Sequence, residues 1–508
     1  MSKISTINKI FISILIVIFL ISIFPISYAN LQSKLNQPSY SKSGVINQYN
    51  MKNWTFMLYD DADFYRAFDP LNWFSQEAYS SENINAVVLQ DKEWGPGKIW
   101  YIDENHHKNL VQKMKEINMG DTLTLQNFIE FCKSNYTADR YILAFYDHGM
   151  GWNGACIDET NDDYLTMDEI QQAIGATGGV DIVCFTAPCR MGAVESAYEL
   201  KDCTDLYIGS EEGSGYVWWG DIIGEIYDSL NDNPDQSIIE FGIEVIDLID
   251  KNSYEWPEWR ANLTMSAIET NKLSMLIEAI NTLSIDFIEN YEELYDNITI
   301  AYENTISFGY GYGIDLYDFT NECLQVFFNE TLIAKINSVQ KNVSEAVIAE
   351  CHGENKGNAH GLSIFFPDQD SPWWNYDISY SFCNLDFTEK THWDEFLIKY
   401  LNVSNETTYV YILKPTNGLY LNNNKIFTPF INMILGEIEI KVTAADLDGI
   451  DRVEFFINNQ NKHIDTTYPY SWNWEKKKPF RFRNIIKVIA YDNKGNSAHN
   501  KVTVIRLY

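Results

Sequence analysis

The chain has 508 residues, enough for two to four domains, and its 45% apolar content lies in the ordinary globular range. A formal charge of −34, from 37 basic against 71 acidic residues, speaks against nucleic-acid binding, because phosphates demand a basic surface. The same balance favours solubility and attraction of cationic peptides or divalent cations.

Met1–Ala29 places Lys3 and Lys9 ahead of the apolar run Ile10–Phe24 and ends in Ser27-Tyr28-Ala29. That three-part pattern reads as a secretory signal peptide, with an uncleaved membrane anchor as the alternative. No later stretch reaches about 18 apolar residues, so the mature chain is expected to have no membrane span and to lie outside the cell or at its surface. Residues 30–50 are rich in Ser, Gln and Asn and read as a flexible lead-in. Asn-x-Ser/Thr sequons at Asn53, Asn135, Asn262, Asn297, Asn329, Asn342, Asn402 and Asn405 are candidate glycosylation sites. All eight cysteines lie beyond the leader, where export permits disulfides. Cys184, inside an apolar strand, reads as a buried thiol, and Cys323, Cys351 and Cys383 leave room for one bridge. There is no Cys-x-x-Cys pair, so zinc-ribbon or thioredoxin chemistry has no support.

Tyr141–Tyr146 is a short apolar and aromatic run that stops at Asp147-His148-Gly149, and Val180–Thr186 is a second that stops just before Cys189. Between them Thr166-Met167-Asp168-Glu169 forms a capping box that opens a helix through about Ala176, closed by Gly178-Gly179. Strand, helix, strand predicts a right-handed crossover with parallel strands. His148 and Cys189 then both leave the carboxyl ends of their strands, where open α/β sheets keep their sites. A thiolate nucleophile with an imidazole to take and return the proton is the chemistry of a cysteine hydrolase. The apolar spacing over Met191–Leu200 predicts a helix whose N-terminus would favour the thiolate. Gly149, without a side chain, offers a backbone N–H as an oxyanion donor. Taken alone, a His and a Cys after successive strands are commonly structural.

The segments AFYDHGMGW and CFTAPCRMGAVESAYEL resemble the His-Gly and Cys motifs of the clostripain family of secreted cysteine endopeptidases. Trp54–Asp63, the pair Asn85–Asp91 and Lys98–Ile102, Gly120–Arg140, Ile208–Glu212 and His360–Pro367 resemble further family segments in the same order. The resemblance implies a caspase-like fold over residues 51–401, with His148 as general base, Cys189 as nucleophile, and protein or peptide substrates. It also implies self-cleavage at a basic residue between the two, yet Gly149–Pro188 contains no Lys or Arg, so no such processing is expected there. The family's Asp-Ala-Cys, whose acid helps form a pocket for basic residues, is here Ala187-Pro188-Cys189. Glu211, Glu212 and Asp221 are the acids left to replace it, and the expected pocket favours an uncharged residue.

Asp158–Glu169 is the densest acidic run. Asp158, Asp162 and Glu169 fall at positions one, five and twelve of an EF-hand template, but position six is Asp163 instead of the glycine that the turn needs. No metal site is assigned from the residues and no cofactor is required; the resemblance leaves a Ca²⁺ role open. Gln236–Lys251 and Ser274–Leu294 are amphipathic, while Gly309–Gly313 and the segment around Trp373-Trp374 read as loops. Residues 402–408 read as a linker. From Tyr409 the pattern changes to six or seven short strands, predicting a β-sandwich over residues 409–508 that resembles bacterial and archaeal Ig-like modules.

The expected architecture is thus α/β, a caspase-like mostly parallel sheet flanked by helices, followed by a small all-β Ig-like sandwich. The expected function is secreted cysteine endopeptidase. A catalytically inactive caspase-like domain serving as a cell-surface binding or adhesion protein is the reading from another class.

Overall fold

The strands of the first 365 residues are β1 (Lys52–Ala62), β2 (Ile84–Lys92), β3 (Lys98–Ile102), β4 (Lys108–Lys113), β5 (Ala138–Tyr146), β6 (Ala155–Asp158), β7 (Asp163–Leu165), β8 (Val180–Phe185), β9 (Thr204–Gly209), β10 (Thr264–Glu269), β11 (Ser307–Phe308), β12 (Gly313–Asp315), β13 (Val347–His352) and β14 (Ser363–Phe365). Nine of them form one sheet in the order β13-β10-β9-β8-β5-β1-β2-β3-β4. This computed structural model describes residues 51–63, 70–93, 95–161, 163–185, 189–213, 217–309, 311–367, 380, 385–401, 408–415, 419–421, 424–427, 432–446, 449–468, 470–475 and 483–507. The leader, the lead-in, Asp162, Ala187, Trp373, Trp374, Cys383, Asn402, Asn405 and all of the linker but Thr408 lie outside them.

The expected parallel sheet holds in its centre, where β2, β1, β5, β8 and β9 run parallel. Both edges depart from it. β3 and β4 continue antiparallel from β2, and β10 and β13 antiparallel from β9. The links between β2, β3 and β4 are too short for a crossover, so those strands can only pair antiparallel.

Period-two alternation sends side chains to two cores. On one face Tyr59, Leu143, Phe145, Val183, Phe185 and Tyr207 pack with helices Thr122–Asn135, Met167–Ala176 and Leu273–Glu289. On the other Phe56, Leu58, Ile142, Ala144, Ile182 and Cys184 meet helices Val217–Asp232 and Ile238–Ser253. The apolar pattern expected over Ser274–Leu294 is divided between Leu273–Glu289 and Tyr291–Asn304, broken at Asn290. No described helix is long and apolar enough to cross a membrane.

Cys184 is a buried thiol, as expected. Cys323 and Cys351 sit in opposite cores as separate thiols, so no bridge joins them. Among the sequons, Asn342 is buried with its amide donating to the Ser338 carbonyl, while Asn135, Asn262 and Asn329 are exposed.

Residues 408–507 build their own core around Ile440, Val453, Phe455, Ile486 and Val488. The described strands form sheets of three and seven. The additional strands Leu419–Leu421, Asn424–Phe427, Met433–Leu435 and Gln460–Asp465 are short or largely exposed, which leaves little apolar alternation to read.

The capping box is formed as the spacing predicts. The Thr166 hydroxyl accepts from the Glu169 N–H, and the Glu169 carboxylate accepts from the Thr166 N–H. Thr166→Ala is expected to cost about 1 kcal/mol in denaturant-induced unfolding without changing the fold.

Candidate functional site

Phe145 and Phe185 are register partners at the carboxyl ends of β5 and β8, with rings stacked at a centroid distance of 5.0 Å. His148 follows three residues after one and Cys189 four residues after the other. Adjacent parallel strands therefore deliver both to the same end of the sheet. Both side chains are half-buried. Partial burial lowers the His148 pKa below its ordinary value, which favours the neutral imidazole.

A hairpin that sequence reasoning did not anticipate holds the histidine loop. Gly149 faces Ala155 in an antiparallel bridge, flanked by Cys156 N–H donating to the His148 carbonyl (3.0 Å) and Met150 N–H donating to the Gly154 carbonyl (2.8 Å). Those bonds leave the N–H and carbonyl of Gly149 itself pointing away from β6. The carbonyl accepts from Arg190 Nη2 at 3.4 Å, so this edge of Gly149 faces the cysteine loop.

The helix expected over Met191–Leu200 is shorter. It begins at Val194 and runs only to Glu199, so it starts five residues beyond Cys189. Residues 190–193 are drawn out by backbone pairing instead. Arg190 N–H donates to the Glu212 carbonyl, Gly192 N–H to the Ser210 carbonyl at 2.7 Å, and Ser363 N–H to the Gly192 carbonyl at 2.8 Å. A Cβ on Gly192 would stand 2.7 Å from the Glu211 nitrogen, so glycine permits this close approach.

Sequence reasoning also missed the residues that join the two loops. Arg190 adopts φ +62°, and its guanidinium lies 4.6 Å from the Tyr312 ring centroid. The Tyr312 hydroxyl donates to the Met150 carbonyl at 2.9 Å. Gly309–Gly313, read as a bare loop, thus braces the site; a Cβ on Gly309 would stand 2.7 Å from Arg190 Cδ. The repeated glycines were the only signal.

The acids expected near the substrate are occupied. Ala187 is outside the described residues, as are the side-chain surroundings of Asp221. Gly213 lies beside Cys189, its would-be Cβ 3.8 Å from the Cys189 Sγ. Its neighbour Glu212 forms a 2.7 Å ion pair with Lys356 and accepts from Gly309 N–H at 3.2 Å. Glu211 is fully buried. Burial and the adjacent Asp315 carboxyl hold its pKa well above the ordinary range, while Gly361 N–H donates to it.

A second set of acids lies behind the histidine loop. One carboxylate oxygen each from Asp91, Glu116 and Asp158 lie within 4.8 Å of one another, and Asp61, Asp63 and Asp147 are their acidic neighbours. Burial and mutual repulsion push Asp91 up to about 9, Glu116 to about 7 and Asp158 to about 6. The EF-hand template fails here: Glu169 is spent on its capping box, and Asp162 is outside the described residues.

Residues 56–401 match the family model for the clostripain family, and residues 410–503 that for a bacterial Ig domain. Clostripain of Hathewaya histolytica is 29% identical over an alignment covering 29% of this chain and 36% of its own length, so the match spans about a third of that curated relative. Two solved structures share the fold. One is a secreted C11 cysteine protease of Bacteroides thetaiotaomicron in complex with an irreversible peptide inhibitor (TM-score 0.52, 16% identity, 67% of this chain and 99% of that one). The other is an inactive zymogen C11 protease of Parabacteroides distasonis (TM-score 0.50, 18% identity, 67% and 98%).

Glu211 carries a testable consequence. Its folded pKa lies above its unfolded value, so the folded state holds the extra proton and loses stability as pH rises between the two. In melting experiments across about pH 5 to 8, Glu211→Gln should flatten the decline seen in the parent protein; an unchanged slope counts against the raised pKa of Glu211.

Proposed function

The chain belongs to the clostripain family, and from that premise we propose that it is a secreted cysteine endopeptidase in which Cys189 is the nucleophile and His148 its base. The observation that carries this is the contact between the two loops at the carboxyl ends of β5 and β8, where Arg190, next to Cys189, donates to the carbonyl of Gly149, next to His148. The leader pattern of Met1–Ala29 supports export. Among the described sequons, exposed Asn135, Asn262 and Asn329 are open to glycosylation in a cell that modifies exported chains.

The neutral imidazole of His148 takes the thiol proton, and the sulfur attacks the peptide carbonyl. Negative charge develops on that oxygen on the side where the Gly149 N–H points. The imidazolium then protonates the amine as the C–N bond breaks, leaving a thioester. Water, deprotonated by His148, attacks the thioester carbon; the acid departs and the thiol is restored.

The residue before the scissile bond is proposed to be uncharged. The motif lacks the family's aspartate, Glu212 is compensated by Lys356, and Glu211 holds its proton. Burying a guanidinium with no open carboxylate is costly.

Cys189→Ala and His148→Ala should each abolish hydrolysis of a peptide library while leaving the melting temperature within a few degrees. The acid limb of kcat/KM should lie below the ordinary histidine value of about 6.5. Full activity in Cys189→Ala would overturn the assignment and point to Cys184 or Cys203 instead, whereas an inert thiol in the parent protein returns the chain to the adhesion reading.

Library profiling should show cleavage after uncharged residues. Lys356→Ala, by releasing Glu212, should raise kcat/KM after Arg or Lys about tenfold. Cleavage confined to basic sites in the parent protein would place an open acid in the pocket and overturn the specificity.

A further inference from the structure

We propose that Tyr254, Trp256 and Trp259 form a subsite that takes an aromatic or large apolar side chain of a polypeptide substrate about three to five residues from the scissile bond. The proposal rests on the peptidase reading and adds what the enzyme selects at a distance from the reacting atoms. All three rings belong to the turn between helix Ile238–Ser253 and β10, and they are 65%, 40% and 53% exposed. A chain gains neither stability nor solubility from showing two tryptophans and a tyrosine together, and such grouping marks a contact surface.

The sheet places this turn beside the cysteine loop. Cys189 follows β8, β9 lies next to β8, and β10 next to β9. β10 runs antiparallel to β9, so its first residue, Thr264, stands at the carboxyl end of β9. There Thr264 Oγ1 accepts from Glu212 N–H at 3.0 Å, and Gly213 beside Cys189 comes next in the chain. Two strand spacings, about 10 Å, separate β8 from β10, a width that about three extended residues span.

The turn is also held rigid. The Leu263 carbonyl accepts from Gly353 N–H at 2.9 Å and the Ala261 carbonyl from Asn355 N–H at 2.8 Å. Asn262 Oδ1 accepts from Asn355 Nδ2 at 3.1 Å. A Cβ on Gly353 would stand 1.8 Å from the Arg260 carbonyl oxygen, so the two backbones pack directly. Lys356, next after Asn355, is the partner of Glu212, so one clamp runs from the aromatic turn to the residue before Gly213. The Arg260 guanidinium lies 3.5 Å from the Tyr254 ring centroid and donates to Asp250 Oδ1 at 2.8 Å and to the Ser253 hydroxyl. Rings fixed in this way bind with little further loss of rotamer freedom.

A polypeptide fits this surface better than a lipid or a glycan. Glu255 is exposed among the rings, and the chain's charge of −34 repels anionic headgroups. Asp250 and Ser253 are engaged with Arg260, where a sugar site would aim such groups at hydroxyls. A peptide held at Cys189 needs only a few extended residues to reach the turn.

The test uses dodecapeptides with Leu, Gln or Ala at the centre and either Phe or Ser four residues to one side of it. In the parent protein Phe on one side should raise kcat/KM about tenfold over Ser, through KM, since a contact remote from the reacting atoms binds substrate and transition state alike. Trp259→Ala and Tyr254→Ala, both at exposed positions, should each cut that ratio to below about threefold. Met275→Ala, at an exposed position beyond the other end of β10, should keep it. A structural role for the rings would instead lower hydrolysis of Phe and Ser peptides equally. That result, or no Phe preference in the parent, overturns the subsite and leaves the peptidase reading standing. Fluorescence polarisation of the labelled peptides on full-length Cys189→Ala protein decides the opposite case. Where the parent hydrolyses nothing, Phe-selective binding that disappears on adding Trp259→Ala upholds the rings as a peptide site and sinks only the peptidase reading; no such binding overturns both. Binding of phosphatidylglycerol vesicles or cello-oligosaccharides that requires Trp259, with no Phe selectivity, assigns the rings to another partner and overturns the proposal.

Discussion

The parallel pairing of β5 with β8 is the constraint on which the site depends. Register between Ile142 and Ile182 through Phe145 and Phe185 fixes how far each chain has travelled when it leaves the sheet. Slipping either strand by one residue would turn Leu143, Phe145, Val183 and Phe185 from one core to the other. The alternation is enforced by two separate apolar layers, so no single substitution can relax it. The aromatic stack of Phe145 on Phe185 contributes about 0.5–1.5 kcal/mol beyond area burial and sits directly beneath the two loops.

What was legible in the sequence follows from locality. β5 and β8 are unbroken apolar runs with turn signals at their ends, and the capping box at Thr166 is a four-residue motif; both read correctly because nothing distant determines them. The segment after Cys189 did not. Met191, Val194, Ala197 and Tyr198 have helical spacing, but Gly192 is claimed on one side by Ser210 and on the other by Ser363, 171 residues away. Long-range backbone pairing overrode a local preference. The β6–β7 hairpin escaped notice for the opposite reason: strands of four and three residues carry too little periodicity to detect. Lys356 lies 144 residues from Glu212, and nothing near either residue announces the pair.

The charge of −34 was also only half legible. As a solubility argument it requires the acids to be on the surface. Asp60, Asp61, Asp63, Asp91, Asp147, Asp158, Glu195, Glu199, Glu211 and Asp315 are instead buried. Burying a carboxylate demands a proton, donors or a counter-ion. The structure uses the first for Glu211 beside Asp315, and the second for Asp63, which accepts from both the N–H and the hydroxyl of Thr160. Burial and neighbouring carboxylates raise Asp61 and Asp91 above the ordinary carboxylate range, which favours the protonated form there too.

Arg190 shows how the two loops are kept together at a local cost. A non-glycine residue at φ +62° is strained, by roughly 1–3 kcal/mol where the surroundings hold it there. The left-handed turn lets Cys189 stay at the mouth while the following residues run out to pair with Ser210 and Ser363. It also swings the guanidinium back over Tyr312 and toward the Gly149 carbonyl. A partly desolvated cation–π contact contributes about 0.5–2 kcal/mol and the charge-assisted hydrogen bond a comparable amount, enough to offset the strain. A smaller residue would lose the guanidinium's contact with the Gly149 carbonyl. The position is therefore one where local conformational preference is sacrificed to hold two loops that the sheet brings close but does not itself join.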